Sequence, residues 1–185
     1  MNERARPTLI VVSGPPGSGK TTLAHALARA VGCPAICRDE IKEGMAQATP
    51  GYSPCPGDPL PLRTLAVFFE VLEDLLKSGV TVVAEAAFQD RLWRPGLERL
   101  IPLAELRIVH CDVEADLAFT RRLQRAAADP HRALHETPEQ TPDRETALAG
   151  HENFIPVSIE APSLRVDTTN GYRPGLAEIV AFVKA

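Results

Sequence analysis

The sequence lacks several features that would place it in a specialised class. It has no run near the roughly 18 uninterrupted apolar residues that a membrane-spanning helix needs. No apolar core of a signal peptide follows the N-terminal MNERARP. The formal net charge of −4 gives no overall attraction to nucleic acid or to an anionic membrane, although a local basic groove is compatible with it. We therefore expect a cytoplasmic protein with no membrane partner.

Paired cysteines are missing too. Cysteines stand at positions 33, 37, 55 and 111, without the CxxC spacing that is typical of zinc sites. We expect structural or free thiols at these positions. The sequence also has no internal repeat.

What is present is a globular pattern of alternating strands and helices. A length of 185 residues with 44% apolar and 24% charged residues predicts one domain spanning 1–185. Hydrophobic periodicity predicts strands at 8–13, 34–37, 80–88, 106–111 and 163–168, and helices at 20–31, 38–48, 62–77, 90–100, 113–128 and 174–184. This alternation indicates a parallel sheet with helices on both faces.

One segment interrupts the pattern. Residues 49–61, TPGYSPCPGDPLP, contain five prolines and two glycines, which exclude regular structure and predict a loop. Loops of this length in compact domains are often functional. We expect this loop and the helix at 62–77 to shape a ligand pocket.

The most specific motif is VVSGPPGSGKTTLA at residues 11–24. Its Gly14-x-x-x-x-Gly19-Lys20-Thr21 core follows a predicted strand and opens a predicted helix, which is the context of a phosphate-binding loop. Glycines let successive N–H groups face phosphate oxygens, and the helix N-terminus adds partial positive charge. Lys20 would reach the outer phosphates and the Thr21 hydroxyl would hold Mg²⁺. The predicted nucleotide-binding residues are Gly14, Pro15, Pro16, Gly17, Ser18, Gly19, Lys20, Thr21 and Thr22.

A second motif, ICRDEIKEGM at residues 36–45, bears on what the bound nucleotide does. Asp39 follows the second strand at the sheet edge where ligands gather, and a carboxylate there can accept the proton of an attacking hydroxyl. Arg38 or Lys42 could hold an anionic acceptor. On spacing alone, a helix-capping role for Asp39 fits equally well.

The motifs GPPGSGKTTLA, CRDEIKEGM, TVVAEAAFQDRLW and ADLAFTRRLQR occur in an order and spacing that resemble the P-loop kinases of the polynucleotide-kinase and zeta-toxin type. The resemblance covers about residues 8–126, with a weaker match at LRVDTT. It implies a three-layer P-loop NTPase fold, with a five-stranded parallel sheet and a small helical lid.

The resemblance also implies roles for individual residues. Asp39 matches the general base. Glu85 stands where the family often has aspartate, and it would serve Mg²⁺ through a water or contact the substrate, with a helix-start acid as the alternative. Arg121 and Arg125 match lid arginines that neutralise the transferring phosphoryl group, with 129–142 as the lid. A solvated basic helix face is the alternative for the two arginines.

The resemblance also gives Thr168 a contact with the adenine ring, unless RVDTT is only a turn. We expect no catalytic role for His110 and an exposed position for His151.

These patterns favour an ATP-dependent phosphotransferase that uses Mg²⁺ and acts on a small-molecule hydroxyl acceptor. The negative net charge and the absence of a basic run disfavour a 5′-hydroxyl nucleic-acid acceptor. A regulatory ATPase without phosphotransfer is the other alternative. The sequence shows no guanine-reading Asn-Lys-x-Asp motif, which disfavours a Ras-like GTPase.

Overall fold

The computed structural model describes residues 6–128 and 142–185. The strands are β1 (Thr8–Ser13), β2 (Ala35–Cys37), β3 (Val82–Glu85), β4 (Glu105–Asp112) and β5 (Ser163–Asp167). The helices are α1 (Lys20–Val31), α2 (Arg38–Gln47), α3 (Leu60–Lys77), α4 (Asp90–Leu100), α5 (Ala115–Ala128), α6 (Arg144–Glu152) and α7 (Leu176–Lys184). A short 3₁₀ helix, Ile101–Leu103, follows α4. The predicted lid, 129–142, lies outside the described residues apart from Pro142.

Within the described ranges, five parallel strands form one sheet in the order β2-β3-β1-β4-β5. β1 is central and pairs with both β3 and β4, so that Val12 lies beside Glu85 and Ser13 lies beside His110. Because all strands run in the same direction, the segments that follow them meet at one edge of the sheet. In such sheets ligands bind outside this edge.

Each face of the sheet is covered by helices. Side chains alternate along a strand, so Leu9 and Val11 of β1 join the core under α3 and α4, while Ile10 and Val12 join the core under α1 and α7. The first core contains an aromatic cluster of Phe68, Phe69, Phe88 and Trp93, with ring centroids 5.0–6.0 Å apart. This arrangement confirms the predicted three-layer α/β fold with a five-stranded parallel sheet.

Two elements differ from their predicted bounds in an instructive way, and one helix was not predicted. α3 begins at Leu60, within the predicted loop, because Pro61 lies in the first turn, where its missing N–H costs no helical hydrogen bond. β3 ends at Glu85 rather than residue 88, and Phe88 has a positive φ of 48° that is incompatible with a strand. α6 was not predicted; its N-cap Asp143 accepts a hydrogen bond from the Thr146 N–H at 2.7 Å.

A search of the helices over 6–128 and 142–185 finds none with the length and apolarity that a bilayer crossing requires.

Candidate active site

The loop between β1 and α1 is fixed by glycines. Gly17 has a φ of 82°, and a Cβ added to it would lie 2.2 Å from the carbonyl oxygen of Ala118 in α5. Gly19 is the N-cap of α1 with a φ of 78°, and as a glycine it offers no capping side chain to the first N–H groups of the helix. The loop therefore needs glycine at position 17 both for its backbone conformation and for its close approach to α5.

The loop fits a phosphate group. Ser18 is fully buried, and its hydroxyl has no hydrogen-bond partner among the described residues. Buried hydroxyls are nearly always paired, so an unpaired one beside open helix N–H groups is consistent with a ligand oxygen. This observation supports the predicted phosphate-binding loop on grounds independent of its sequence motif.

Thr168, at the end of β5, ties this loop to the rest of the sheet. Its hydroxyl donates to the Ser18 carbonyl at 2.7 Å, and its N–H donates to the Asp112 carbonyl at 2.9 Å. Thr168 is 5% exposed. The side chain that we predicted to contact adenine thus supports the phosphate loop, and the adenine contact stays a prediction.

The two predicted lid arginines lie on α5. Arg121 donates to the carbonyls of Thr168 and Thr169 at 2.8 and 3.1 Å, so its guanidinium faces the segment after β5. Arg125 is part-buried one turn further along the helix and has interactions of its own. Their role on the transferring phosphoryl group stays a prediction, and the observed Arg121 contacts place this residue beside the predicted adenine segment.

Three predicted residues meet at the carboxyl edge of β1 and β3. Lys20 Nζ lies 3.8 Å from Glu85 Oε1, and Glu85 is 2% exposed. Burial raises the pKa of the Glu85 carboxyl, whereas the Lys20 ammonium and a hydrogen bond with the Thr21 side chain act in the opposite direction. A buried carboxylate beside a hydroxyl is an oxygen donor set that suits Mg²⁺, so Thr21 and Glu85 fit the predicted metal.

Asp39 lies close enough to Glu85 for their charges to interact. Its charge is among the causes that raise the Glu85 pKa, so the two carboxyl groups interact electrostatically. Arg38 Nη1 donates to Asp39 Oδ1 at 3.0 Å and Arg38 Nη2 donates to the Pro61 carbonyl at 3.2 Å. The N-cap of α2 is Cys37, so Asp39 is not the capping residue of this helix.

The predicted acceptor loop has internal order. The Tyr52 hydroxyl donates to Asp58 Oδ2 at 2.5 Å, and Asp58 Oδ1 accepts from the Leu60 N–H at 2.8 Å. Burial and the Asp58 carboxylate raise the pKa of Tyr52 to about 12. The hydrogen bonds from Tyr52 and Leu60 lower the pKa of Asp58, and the charge of Lys42, which is 5% exposed, adds to this shift. These contacts join the loop to α2 and α3.

A pocket that the sequence did not predict lies against the other flank of the phosphate loop. It has a volume of about 150 Å³, and Gly14, His110, His151 and Arg165 are among its lining residues. His110 is placed there by its pairing with Ser13, the residue before Gly14. Its Nδ1 is buried with no partner in the described part of the chain, and burial, then Arg165, lower its pKa. His151 Nε2 lies 2.9 Å from the Val113 carbonyl, in a part-buried rather than exposed position.

Comparison with protein families adds to this geometry. Residues 9–148 match a family described as an AAA domain, which is more than half of the chain. The chain belongs to this AAA-domain family. No curated protein matches the sequence significantly.

Solved structures agree with the family assignment. A candidate kinase from Chloroflexus aurantiacus is 25% identical over 97% of both chains, with a TM-score of 0.81. A gluconokinase from Sinorhizobium meliloti is 27% identical over 97% of this chain and 91% of its own, with a TM-score of 0.53. The APS kinase CysC from Mycobacterium tuberculosis, solved with AMPPNP and APS, is 16% identical over 98% and 99%, with a TM-score of 0.64. These similarities confirm the resemblance to P-loop kinases and the fold that it implied.

Proposed function

We propose that this AAA-domain protein transfers the γ-phosphoryl group of ATP to a hydroxyl group of a small-molecule acceptor. The observation that carries the proposal is the meeting of Lys20, Thr21, Glu85 and Asp39 at one edge of the sheet, beside the glycine-rich loop at 14–19. Two structural neighbours, a candidate kinase and a gluconokinase, support the same class of reaction.

The residues around the phosphates would each have a distinct role in the proposed phosphoryl transfer. The Lys20 ammonium would move from Glu85 to the outer phosphates and neutralise their charge. Thr21 and Glu85 would hold Mg²⁺ directly or through water, and the ion would supply further neutralisation of the phosphate oxygens. Arg121 and Arg125 would lie on the lid side, with 129–142 closing over the site.

Asp39 would act on the acceptor. Its carboxylate would accept the proton of the acceptor hydroxyl while the hydroxyl oxygen forms a bond to the γ-phosphorus. The bond from that phosphorus to the bridging oxygen breaks and ADP leaves. The Arg38 guanidinium, 3.0 Å from Asp39, would orient the carboxylate. Lys42 and the loop at 49–61 would shape the acceptor pocket.

The test is ADP release from ATP and Mg²⁺, first without an acceptor and then with pools of sugars, nucleosides, antibiotics and 5′-hydroxyl oligonucleotides. We expect one small-molecule pool to stimulate the wild type. Asp39→Asn should reduce that stimulation by about 10²–10⁴-fold, which is the usual contribution of a general base. Its nucleotide affinity, measured with a fluorescent ATP analogue, should stay close to the wild-type value.

The matched control is Asp74→Asn, which removes a carboxylate from an exposed position on α3 and should leave the stimulation unchanged. Equal stimulation of wild type and Asp39→Asn would contradict the role of Asp39. Stimulation by oligonucleotides alone would replace the small-molecule acceptor with a nucleic acid. Nucleotide-dependent hydrolysis that no pool stimulates would favour the regulatory ATPase.

A further inference from the structure

Three side chains with metal-binding chemistry converge beside the candidate active site, on residues that the proposed phosphotransfer does not use. His25 comes from α1, Cys37 from the end of β2 and Glu40 from the first turn of α2. One ligand atom from each lies within 4.8 Å of the other two. Cys37 follows His25 by 12 positions and precedes Glu40 by 3 positions, so the three residues do not form a recognisable sequence motif.

The distances suit a shared ion. With Zn–S near 2.3 Å and Zn–N near 2.0–2.1 Å, tetrahedral geometry places sulfur and nitrogen about 3.6 Å apart. Cys37 Sγ and His25 Nε2 are 3.7 Å apart. The same geometry requires about 3.4 Å between nitrogen and a carboxylate oxygen. His25 Nε2 and Glu40 Oε1 are now 2.6 Å apart, so the carboxylate would have to withdraw by less than an ångström.

The burial of the three groups supports such an adjustment. Cys37 is 2% exposed and lies at the buried end of the cluster. The side chains of His25 and Glu40 are 40% and 49% exposed. A metal ion could therefore enter from solvent and move the Glu40 side chain with little resistance. The thiol proton would leave to solvent as the thiolate binds, and water would occupy the fourth position.

We propose that His25, Cys37 and Glu40 form a binding site for a transition-metal ion of the zinc class, which has its own three ligands and adjoins the proposed magnesium site because Cys37 pairs in register with Glu85. The donor chemistry gives the selectivity. Sulfur and imidazole nitrogen favour Zn²⁺ and Co²⁺, whereas Mg²⁺ prefers oxygen ligands in an octahedron. The proposal does not depend on the phosphotransfer reaction.

The test is a titration of the nucleotide-free, reduced protein with Co²⁺. A thiolate in a tetrahedral site should give one equivalent of an intense sulfur-to-cobalt charge-transfer band and strong visible ligand-field bands, both removed by Zn²⁺. Cobalt at the oxygen ligands of the magnesium site would give neither signal. Cys37→Ser should abolish the charge-transfer band. His25→Gln, at a half-exposed position that folding should tolerate, should weaken metal affinity at least tenfold.

Cys33→Ser is the matched control because Cys33 is also a free, part-buried thiol but is not a member of the cluster. It should keep the wild-type spectrum and affinity. The proposal is overturned if the wild type gives no charge-transfer band, or if that band survives in Cys37→Ser. It is also overturned if His25→Gln binds Co²⁺ as tightly as the wild type, since the His25–Glu40 contact would then be only an ion pair.

Discussion

The two sides of the candidate active site are built differently. The phosphate side, residues 14–21, depends on backbone geometry: Gly17 contacts the α5 backbone, and the Ser18 carbonyl is held by Thr168. The acceptor side, residues 38–64, depends on side chains, with Arg38 bridging Asp39 to Pro61 and Tyr52 bound to Asp58. A bound phosphate needs the same cradle of N–H groups in any nucleotide, whereas an acceptor is recognised by groups specific to it.

This difference predicts that substitutions on the two sides separate nucleotide binding from acceptor binding. The largest effect should follow Gly17→Ala. Its Cβ would overlap the Ala118 carbonyl oxygen at 2.2 Å, and backbone rather than a flexible side chain would have to move. We expect the affinity for an ATP analogue to fall at least about 100-fold, or about 2.7 kcal/mol, in equilibrium binding measurements.

Gly32→Ala separates crowding from backbone conformation. Gly32 has a φ of 87°, close to that of Gly17, but no heavy atom lies within 4 Å of its added Cβ in the described structure. We expect a stability loss of about 1–2 kcal/mol from the left-handed conformation and unchanged ATP-analogue affinity. Equal loss of affinity in both variants would show that the contact with α5 does not shape the phosphate side.

Tyr52→Phe should have a moderate effect that is confined to the acceptor side. It removes the hydroxyl bound to Asp58, and a single hydrogen bond contributes about 0.5–1.5 kcal/mol. We expect the KM for the acceptor to rise severalfold, up to about tenfold, with the KM for ATP unchanged in the same coupled assay. Tyr172→Phe is the control because Tyr172 packs in the core under α1 and α7. A rise in the KM for ATP would mean that the two sides are coupled.

The difference between features built by one backbone segment and features built by contacts between segments also explains which parts of the structure could be predicted from the sequence. The loop between β1 and α1 was predictable because Gly14, Gly19 and Lys20 have a spacing that few other structures require, and phosphate binding by it stays a prediction. The sheet and six of the helices were predictable because their apolar residues repeat with the period of a strand or helix. α6 gave a weaker signal: no residue of its nine is buried, so it has no apolar stripe to detect.

The sequence did not predict which residues of different helices and strands lie close together in the folded protein. His110 lies beside the phosphate loop because β4 pairs with β1, and this pairing is not encoded in local periodicity. Likewise, Arg121 reaches Thr168 across 47 positions, and His25 reaches Cys37 from a different element. Individual residues such as Arg121 and Glu85 could be selected from their own segments, whereas the contacts that they make with other segments could not be predicted.

The smallest expected effect concerns His110 and tests how strongly water is excluded from the pocket beside the phosphate loop. Burial lowers the pKa of His110 and the Arg165 charge adds to this shift, while Asp112 and His151 also line the pocket. The unfolded chain therefore takes up a proton near pH 6.5, before the folded protein does. Stability should be complete above this pH and decline as the pH falls through the unfolded value toward the folded one, by at most about 1.4 kcal/mol per pH unit.

Urea unfolding from about pH 8 to about pH 5.5 measures this decline, which His110→Gln should remove from the wild-type profile. Arg165→Gln should retain most of it, because burial is the larger cause and the Arg165 side chain is 79% exposed. If Arg165→Gln removed the decline as completely as His110→Gln, the positive charge rather than desolvation would dominate. The pocket beside the phosphate loop would then be a hydrated surface, and the fixed geometry of the phosphate side would be limited to the backbone of the loop.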